Sequence, residues 1–504
     1  MRVKHLLFIA VPLLVVAASF IYLRVNPVGV FLSFPSFFAF LRYNFFPPNF
    51  DGFRGHVPVI FQTVLFAVAG TYISAVLAFF LGILMSREMN RFVILRGCVR
   101  FFVSFLRNVP LLIWASLLVF IFGIGPLIGV LALVLATLGF LARSYAESID
   151  EIAGSRLEAL RASGAGYFQI LFHGLVPEFV PSWINWTLFS FEINIRASAV
   201  LGMVGAGGLG LLIQTNLDLR GFRRAAALII ILVVMVLAVE FIVNIVRKWV
   251  KEKSPGLTMA IMLTFLFAVS VYFLNLDIGR FVSRFGNARR VLSLLMSFNP
   301  SALPDIFYHL FISIALGICG LFLGFIISFM LAFLAADNIA PIRPLSWIIK
   351  GFVSVIRAIP SLVLILMVVA SLGFGFTTAV VGLVFSSVGY LTKAFIASIE
   401  EQDYAVIEAK RASGAGWIQI VFHGLLSGVW NAFISWLSIR LEGNISDSIS
   451  LGIVGAGGVG MLISRAVRQH NFPNITTTIV VIFAVMLLIE LGSVKLRELL
   501  RPSR

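Results

Sequence analysis

The sequence predicts an all-α polytopic membrane protein of about twelve helices, arranged as two parallel six-helix repeats. Three observations carry that expectation. Of 504 residues, 60% are hydrophobic and only 12% are charged, half the share of about a quarter found in soluble chains, and the mean hydropathy is +1.05. Apolar runs of bilayer-crossing length recur along the whole chain. The second half repeats the first at a fixed offset.

A helix that crosses a bilayer needs roughly 20 apolar residues. Such runs lie near 6–23, 57–85, 106–122, 124–142, 178–200 and 225–246, and again near 257–274, 307–335, 358–374, 376–392, 427–449 and 475–494. An outer-membrane barrel would show short alternating segments instead.

The repeat is read from matched words. RASGAG begins at 161 and again at 411, LRNVP at 106–110 faces IRAIP at 356–360, Glu240 faces Glu490, and Arg247 faces Arg497. Each offset is 250 residues, so the halves 1–250 and 251–504 align without an insertion. The junction at 247–256, RKWVKEKSPG, is too short to hold a domain. The basic, apolar amino terminus has the pattern of a signal peptide. Its counterpart at 257–276 is internal, so an uncleaved first helix is expected.

An even number of helices per half returns both halves to the same side. Arg2, Lys4, Arg87, Arg91, Arg96, Arg100, Arg247, Lys248, Lys251, Lys253, Arg497 and Arg501 fall on it, which the positive-inside rule makes the cytoplasm. Both termini are therefore expected there, in the cell membrane of a prokaryote. Arg280, Arg284, Arg289 and Arg290 would lie outside, in a segment (275–306) that, like 24–56, suits an interfacial helix. The net charge of +16 thus describes membrane topology rather than nucleic-acid binding. Cys98 and Cys319 are too few for a disulfide framework or a cysteine metal site.

After the fourth helix of each half comes a cytoplasmic loop, EALRASGAGYFQILFHGLVP at 158–177 and EAKRASGAGWIQIVFHGLLS at 408–427. Each reads as a short helix, a glycine break and an amphipathic stretch. Ser155 and Glu158 have capping-box spacing, and Gly164 suits a left-handed turn. A capped surface helix would explain the first copy alone. In the second, Ala405 stands where Ser155 stood, yet Glu408 and Gly414 persist, which points to a use beyond capping.

These loops resemble the E-A-A-x-x-x-G motif of ABC importer permeases, through Glu158, Ala159 and Gly164 and through Glu408, Ala409 and Gly414. The resemblance covers both halves from about residue 56 onward. It implies the type I importer transmembrane fold, with two permease units fused in one chain around a pseudo-two-fold pore. In that family the loop docks into a groove on a cytoplasmic ATPase and transmits its closure to the membrane helices. The implied partners are two cytoplasmic ABC ATPase subunits and an extracytoplasmic solute-binding protein, with ATP held on the partner and no cofactor in this chain. The family's late proline is matched by Pro177 but replaced by Ser427 in the second copy.

GMVGAGGLG at 202–210 and GIVGAGGVG at 452–460 contain G-x-G-x-x-G spacing. A dinucleotide site also needs a preceding strand and a surrounding βαβ unit, and the residues before these glycines end a membrane helix. No Walker A sequence is present. Irregular backbone at membrane depth survives only where protein covers it or a cavity adjoins it. Gly205, Gly207, Gly208, Gly455, Gly457 and Gly458 therefore suit either tight helix packing or bends beside a translocation path.

The longer phrase FEINIRASAVLGMVGAGGLG (191–210) resembles the signature of phosphonate-type permeases among these importers, which implies a small anionic cargo such as a phosphonate or related phosphorus oxyanion. From the residues themselves comes polarity at depth. Glu192 and Arg196 are four apart and share a helix face; Asn194 and Ser198 share another. If the helix enters near Glu178, Glu192 lies about 21 Å along it, past the midplane. Buried ionisable groups usually face a cavity or a partner, so a purely structural ion pair is the competing reading. The second copy keeps Glu442, Asn444 and Ser448 but has Ser446 for the arginine and a new Asp447. Within the two stretches Arg196 is the only cation, which suits an anion. All these groups are expected to border the central interface between the halves.

Arg107-x-x-Pro110 and Arg357-x-x-Pro360 are expected to open the third helix of each half, as proline suits a helix start. The rivals are an ion-coupled secondary transporter, which also uses repeats and intramembrane carboxylates, an ABC permease for an organophosphate ester or an unrelated small solute, and a membrane enzyme. The six histidines, with His173 and His423 matched at the loop ends, form no evident catalytic or metal cluster in the sequence.

Overall fold

A computed structural model describes residues 2–500 apart from 153, 254–255, 277–278, 280–281, 284–285, 287–292 and 456, and only the backbone of 2–9, 154–157, 251–253 and 499–500. Arg280, Arg284, Arg289 and Arg290 lie outside the described residues. Among those described there are helices and turns and no strand. Among the described residues ten helices are long and apolar enough to cross a membrane, or twelve with each of two bent pairs taken as one span.

The chain divides into two compact units. Unit I is Pro48–Ser297; unit II is Met1–Pro47 with Phe298–Arg504. The division differs from the sequence halves because each repeat's opening segment packs on the other repeat's core.

Unit I holds α3 (Phe53–Met85), α4 (Val93–Asn108), α5 (Leu111–Phe122), α6 (Pro126–Ile152), α7 (Gly154–Ala162), α8 (Val176–Leu201), α9 (Leu209–Asp218), α10 (Phe222–Lys253) and α11 (Gly256–Leu274). α3 and α6 form its centre. Gly70 lets them approach so closely that a Cβ there would stand 2.8 Å from the Leu133 Cβ. α11 closes on α3 through a stacked Tyr72–Phe267 pair at 4.5 Å and a Tyr72–Thr264 hydroxyl bond of 3.0 Å.

Unit II begins with α1 (Arg2–Leu23) and α2 (Pro27–Phe40), and α2 continues as a wider turn over Leu41–Phe45. It goes on with α12 (Leu303–Ala335), α13 (Arg343–Ala358), α14 (Ser361–Leu372), α15 (Phe376–Glu400), α16 (Tyr404–Ala412), α17 (Leu426–Ile453), α18 (Val459–Arg468) and α19 (Phe472–Leu500). Phe20 and Tyr22 of α1 meet Phe322 and Tyr308 of α12 edge-on. Phe34, Phe37 and Phe38 of α2 surround Phe385 of α15. Part of the high phenylalanine content is therefore aromatic packing. Pro27–Phe45 also qualifies as a span by length and composition, where the sequence reading left 24–56 as an outer segment; Pro27, Pro35 and Arg42 interrupt its apolar run.

The third predicted span of each half is not one straight helix. α4 and α5 meet at 92°, and α13 and α14 at 94°. Val109 and Ile359 are extended, and Pro110 and Pro360 sit at the starts of α5 and α14. The residue before a proline is pushed out of the α region, which breaks the run there. Arg107 and Arg357 thus end the preceding amphipathic helices instead of opening the apolar ones.

Candidate functional site

The two EAA-like loops have one geometry. α7 and α16 each end in a left-handed glycine, Gly164 at φ +83° and Gly414 at φ +77°. Ala165 N–H donates to Leu160 O and Ala415 N–H to Lys410 O, both at 3.1 Å, which closes a Schellman-type end. One helical turn follows, Tyr167–Gln169 or Trp417–Ile420, with Gln169 and Gln419 accepting from the backbone N–H of Gly166 and Gly416. Wider π-type turns at Ile170–Leu175 and Val421–Leu425 then lead into α8 and α17. Ser427 in place of Pro177 does not change this path, because both long helices start at the equivalent residue. Glu158, Ala159, Gly164, Glu408, Ala409 and Gly414 are all exposed.

The capping expectation is corrected. α7 already includes Gly154, so Ser155 lies inside the helix and not at its cap. In the second copy Asp403 is the cap, its carboxylate accepting from Ala405 N–H at 2.9 Å. The cap had moved two residues upstream of Ala405, which masked it in the sequence comparison.

Each loop is tied to the turn that follows α3 or α12. Arg161 donates to the backbone oxygen of Glu88 and pairs with its carboxylate at 3.2 Å. Arg411 donates to the Asn338 carbonyl at 3.3 Å, and Trp417 Nε1–H adds a bond of 2.9 Å to Ile339 O. The turns themselves hang on the fourth predicted span of each half: Asp150 accepts from Arg87 N–H, and Glu400 from Asp337 N–H. His173 and His423 are exposed, and no group of metal-ligating side chains is found among the described residues.

The glycine words are helix breaks. Gly205, Gly207 and Gly208 have φ of +97°, +94° and +78°, and Gly455, Gly457 and Gly458 of +107°, +95° and +75°, a region that other residues rarely adopt. The chain folds back so tightly that a Cβ on Gly210 would strike Ala199 O, and one on Gly460 would strike Ile449 O. The new helix starts are satisfied from α3 and α12. Gly208 N–H donates to Gln62 and Leu209 N–H to Thr63, and Val459 N–H donates to Ser313.

The polar residues of α8 and α17 separate into two groups. Asn194 and Asn444 are buried and act inside their own units. Asn194 donates to Thr71 at 2.8 Å and accepts from Thr137 at 2.9 Å. Asn444 bonds Ser387 at 2.8 Å and the Gly317 carbonyl at 3.2 Å. Ser198 turns back to Ile195 O, and Ser448 reaches Ser313 O.

The charged residues form the second group. Glu192 is buried and pairs with Arg196 at 3.7 Å, as the spacing predicts, and with Arg247 of α10 at 3.5 Å. Arg247 lies six residues before the end of α10. In unit II, Arg440 pairs with Asp447 at 3.0 Å, donates to Ser386, and lies 5.6 Å over the Tyr390 ring. Ser361, the first residue of α14, donates to Asp447 at 3.0 Å. Glu442 and Ser446 are half-buried beside this cluster's helix face. Arg196 is therefore not the sole cation of the matched regions: Arg440 stands one residue before the compared stretch and so escaped it.

Residues 78–253 and 328–501 each match the model of the family described as "Binding-protein-dependent transport system inner membrane component". The chain is 31% identical to the phosphate-import permease protein PhnE of Mycolicibacterium smegmatis over 88% of its own length and 85% of that protein. It is 33% identical to the phosphite transport system permease protein PtxC of Stutzerimonas stutzeri over 41% of this chain and 74% of that one. A solved chain of the MetNI methionine ABC transporter, inward facing, aligns with 41% of this chain and 100% of its own, at 21% identity and a TM-score of 0.38. With the family matched twice, once in each repeat, the chain belongs to the binding-protein-dependent inner membrane components: it is the multi-pass permease of an ABC importer, two permease repeats in one polypeptide, and hydrolyses no ATP itself.

Proposed function

We propose that this permease imports a small phosphorus oxyanion of the phosphate, phosphite or phosphonate class. The phosphate-import and phosphite permeases it resembles support that class. One observation carries the coupling mechanism: the same exposed helix, left-handed glycine and π-type turn is built twice, 250 residues apart. Each loop docks one ATPase subunit, so two subunits bind on the cytoplasmic side, where both termini lie. An extracytoplasmic binding protein delivers the anion. Glu192, Asn194, Arg196 and Ser198, with Glu442, Asn444, Ser446 and Asp447, serve the translocation path. The asparagines and serines hold its helices in register, and Arg196 and Arg440 set a field that favours an anion. The glycine breaks let α9 and α18 swing against α8 and α17.

The experiment is uptake of radiolabelled phosphate, phosphite and a methylphosphonate by cells carrying the permease with its ATPase and binding protein. Glu158→Lys and Glu408→Lys reverse an exposed charge without touching packing. Both variants are expected to reach the membrane at wild-type level and to lose most uptake and ATPase co-purification. Normal uptake by both sinks the coupling assignment. Uptake of none of the three anions by the wild type sinks the substrate class.

A further inference from the structure

α4 carries an apolar face that no part of unit I covers. Val103 and Leu106 are buried in the unit. On the opposite side Ile94, Gly97, Cys98, Phe101 and Phe102 follow one another at helical spacing and are all exposed, Ile94 at 84% and Phe101 at 62%. The same register returns in α13, where Trp347, Ile348, Gly351, Phe352 and Val355 are exposed. Two copies of one exposed stripe are not an accident of packing at one place.

The geometry limits what covers these faces. α4 turns 92° into α5, which has only 12 residues, or about 18 Å of rise against a hydrocarbon core of about 30 Å. If α4 ran on as the other half of a span, the pair would be straight. A helix with one apolar face, set at a right angle to an apolar helix, suits the plane of the headgroups.

Charge distinguishes the two copies. Arg87 and Arg91 are exposed just before α4. Arg96 joins them, held by the Asn90 carbonyl, which orients a guanidinium without neutralising it, whereas Arg100 bonds the Met85 carbonyl and lies 3.8 Å from the Asp150 carboxylate. In α13 the central cation Lys350 is matched by Asp337 at 2.7 Å and Glu400 at 3.0 Å. Both central cations, Arg100 and Lys350, thus have a carboxylate partner; the first elbow differs in its exposed Arg87 and Arg91, where the second has Asp337 and Pro341, so that Arg343 and Lys350 of α13 are balanced by Asp337 and Glu400.

We propose that α4 is an anionic-phospholipid-binding helix: it lies in the headgroup plane, its Ile94–Phe102 face in the acyl boundary and Arg87 and Arg91 on acidic lipid phosphates. α13 lies in the same plane without selecting lipid charge. Neither statement depends on which solute is carried or on the ATPase.

The chain supplies its own probe site, because Cys98 is exposed on this face and Cys319 is buried. A fluorophore on Cys98 of the full-length protein is read in vesicles of mixed phosphatidylcholine and phosphatidylglycerol. Nitroxide quenchers are placed near the glycerol or near the chain terminus of either lipid. The shallow quencher is expected to act most strongly, and phosphatidylglycerol carrying it to quench about five-fold better than phosphatidylcholine, the preference expected for one basic residue near an acidic surface. Raising the salt should narrow the ratio. Arg87→Gln with Arg91→Gln should bring the ratio near one while the depth stays. Ile348→Cys in a Cys98→Ser background should show the same shallow depth and no lipid preference. Strongest quenching from the chain terminus would mean that α4 spans. Quenching by aqueous iodide alone would mean that the face meets water or protein. Equal quenching by both lipids would remove the anionic selectivity. Each of these three results overturns the proposal.

Discussion

Units I and II meet the same chemical requirement from different positions. In unit I one carboxylate, Glu192, sits between two arginines, Arg196 and Arg247. In unit II the matching carboxylate is Glu442, and Arg440 and Asp447, which have no charged counterparts at 190 and 197, add an ion pair anchored to the start of α14 by Ser361. By contrast the buried asparagines and the left-handed glycines coincide residue for residue. Backbone breaks and short buried side chains have one workable location. Long charged side chains reach a shared region from several, so charge drifts between repeats while geometry does not.

The sharpest way to break this comparison is at the shared geometry. Gly210→Ala and Gly460→Ala both drive a methyl into a backbone carbonyl. Each is expected to destabilise by roughly 3–4 kcal/mol, among the largest single-site effects, and to abolish folded protein by size exclusion of the detergent extract. Survival of one but not the other would show that the repeats are less alike than their dihedrals.

At the drifting charges the units should differ. Arg440→Ala leaves Asp447 with a hydroxyl partner only, whereas Arg196→Ala leaves Glu192 still paired with Arg247. Removing one partner of a buried pair costs about 3–5 kcal/mol. Asp447 is a quarter exposed, so about 2 kcal/mol is expected for Arg440→Ala and less for Arg196→Ala. Thermal unfolding of the two variants tests the order, and Asp447→Ala should restore most of the loss in Arg440→Ala. For uptake of an anion, Arg196→Lys should retain more activity than Arg196→Ala, because it keeps the charge and loses only the fork.

The loops give the smaller contrasts. Asp403→Ala removes a cap that α16 has, at a cost of about 1 kcal/mol, read as faster proteolysis of that loop. Glu88→Ala removes a half-exposed ion pair that the second loop lacks, worth under about 1 kcal/mol, and the readout is a shift in ATPase stimulation. The matching change at Asn338 keeps the Arg411 bond to its backbone but removes the side-chain bond to the Ile399 carbonyl at 2.8 Å, a cost of about 1 kcal/mol in stability with no ion pair lost.

Repeated words and periodic apolar runs made the fold legible, because both are local. All twelve predicted runs fall on helices. The 90° elbows were not visible, since an apolar run continues through Pro110 and Pro360 and hydropathy carries no direction. The Glu192–Arg196 pair was readable from i,i+4 spacing. Its third member, Arg247, is 55 residues away in the chain and comes near only when α8 packs on α10. Arg440 and Asp403 were missed for a simpler reason: aligning the repeats column by column hides a group that has shifted by one or two positions.

The exchange of opening segments has a consequence for synthesis. Phe20 leaves the ribosome long before Phe322, its ring partner. At about 5–20 residues per second, the roughly 300 residues between them take on the order of 15–60 s. Throughout that interval α1 and α2 wait in the bilayer without the core they belong to. Unit I has no such wait, because its members run consecutively and α11 arrives last to close it. The permease therefore finishes its middle first and its two ends together, and a chain cut between the repeats would give two fragments that each carry the other's first helix.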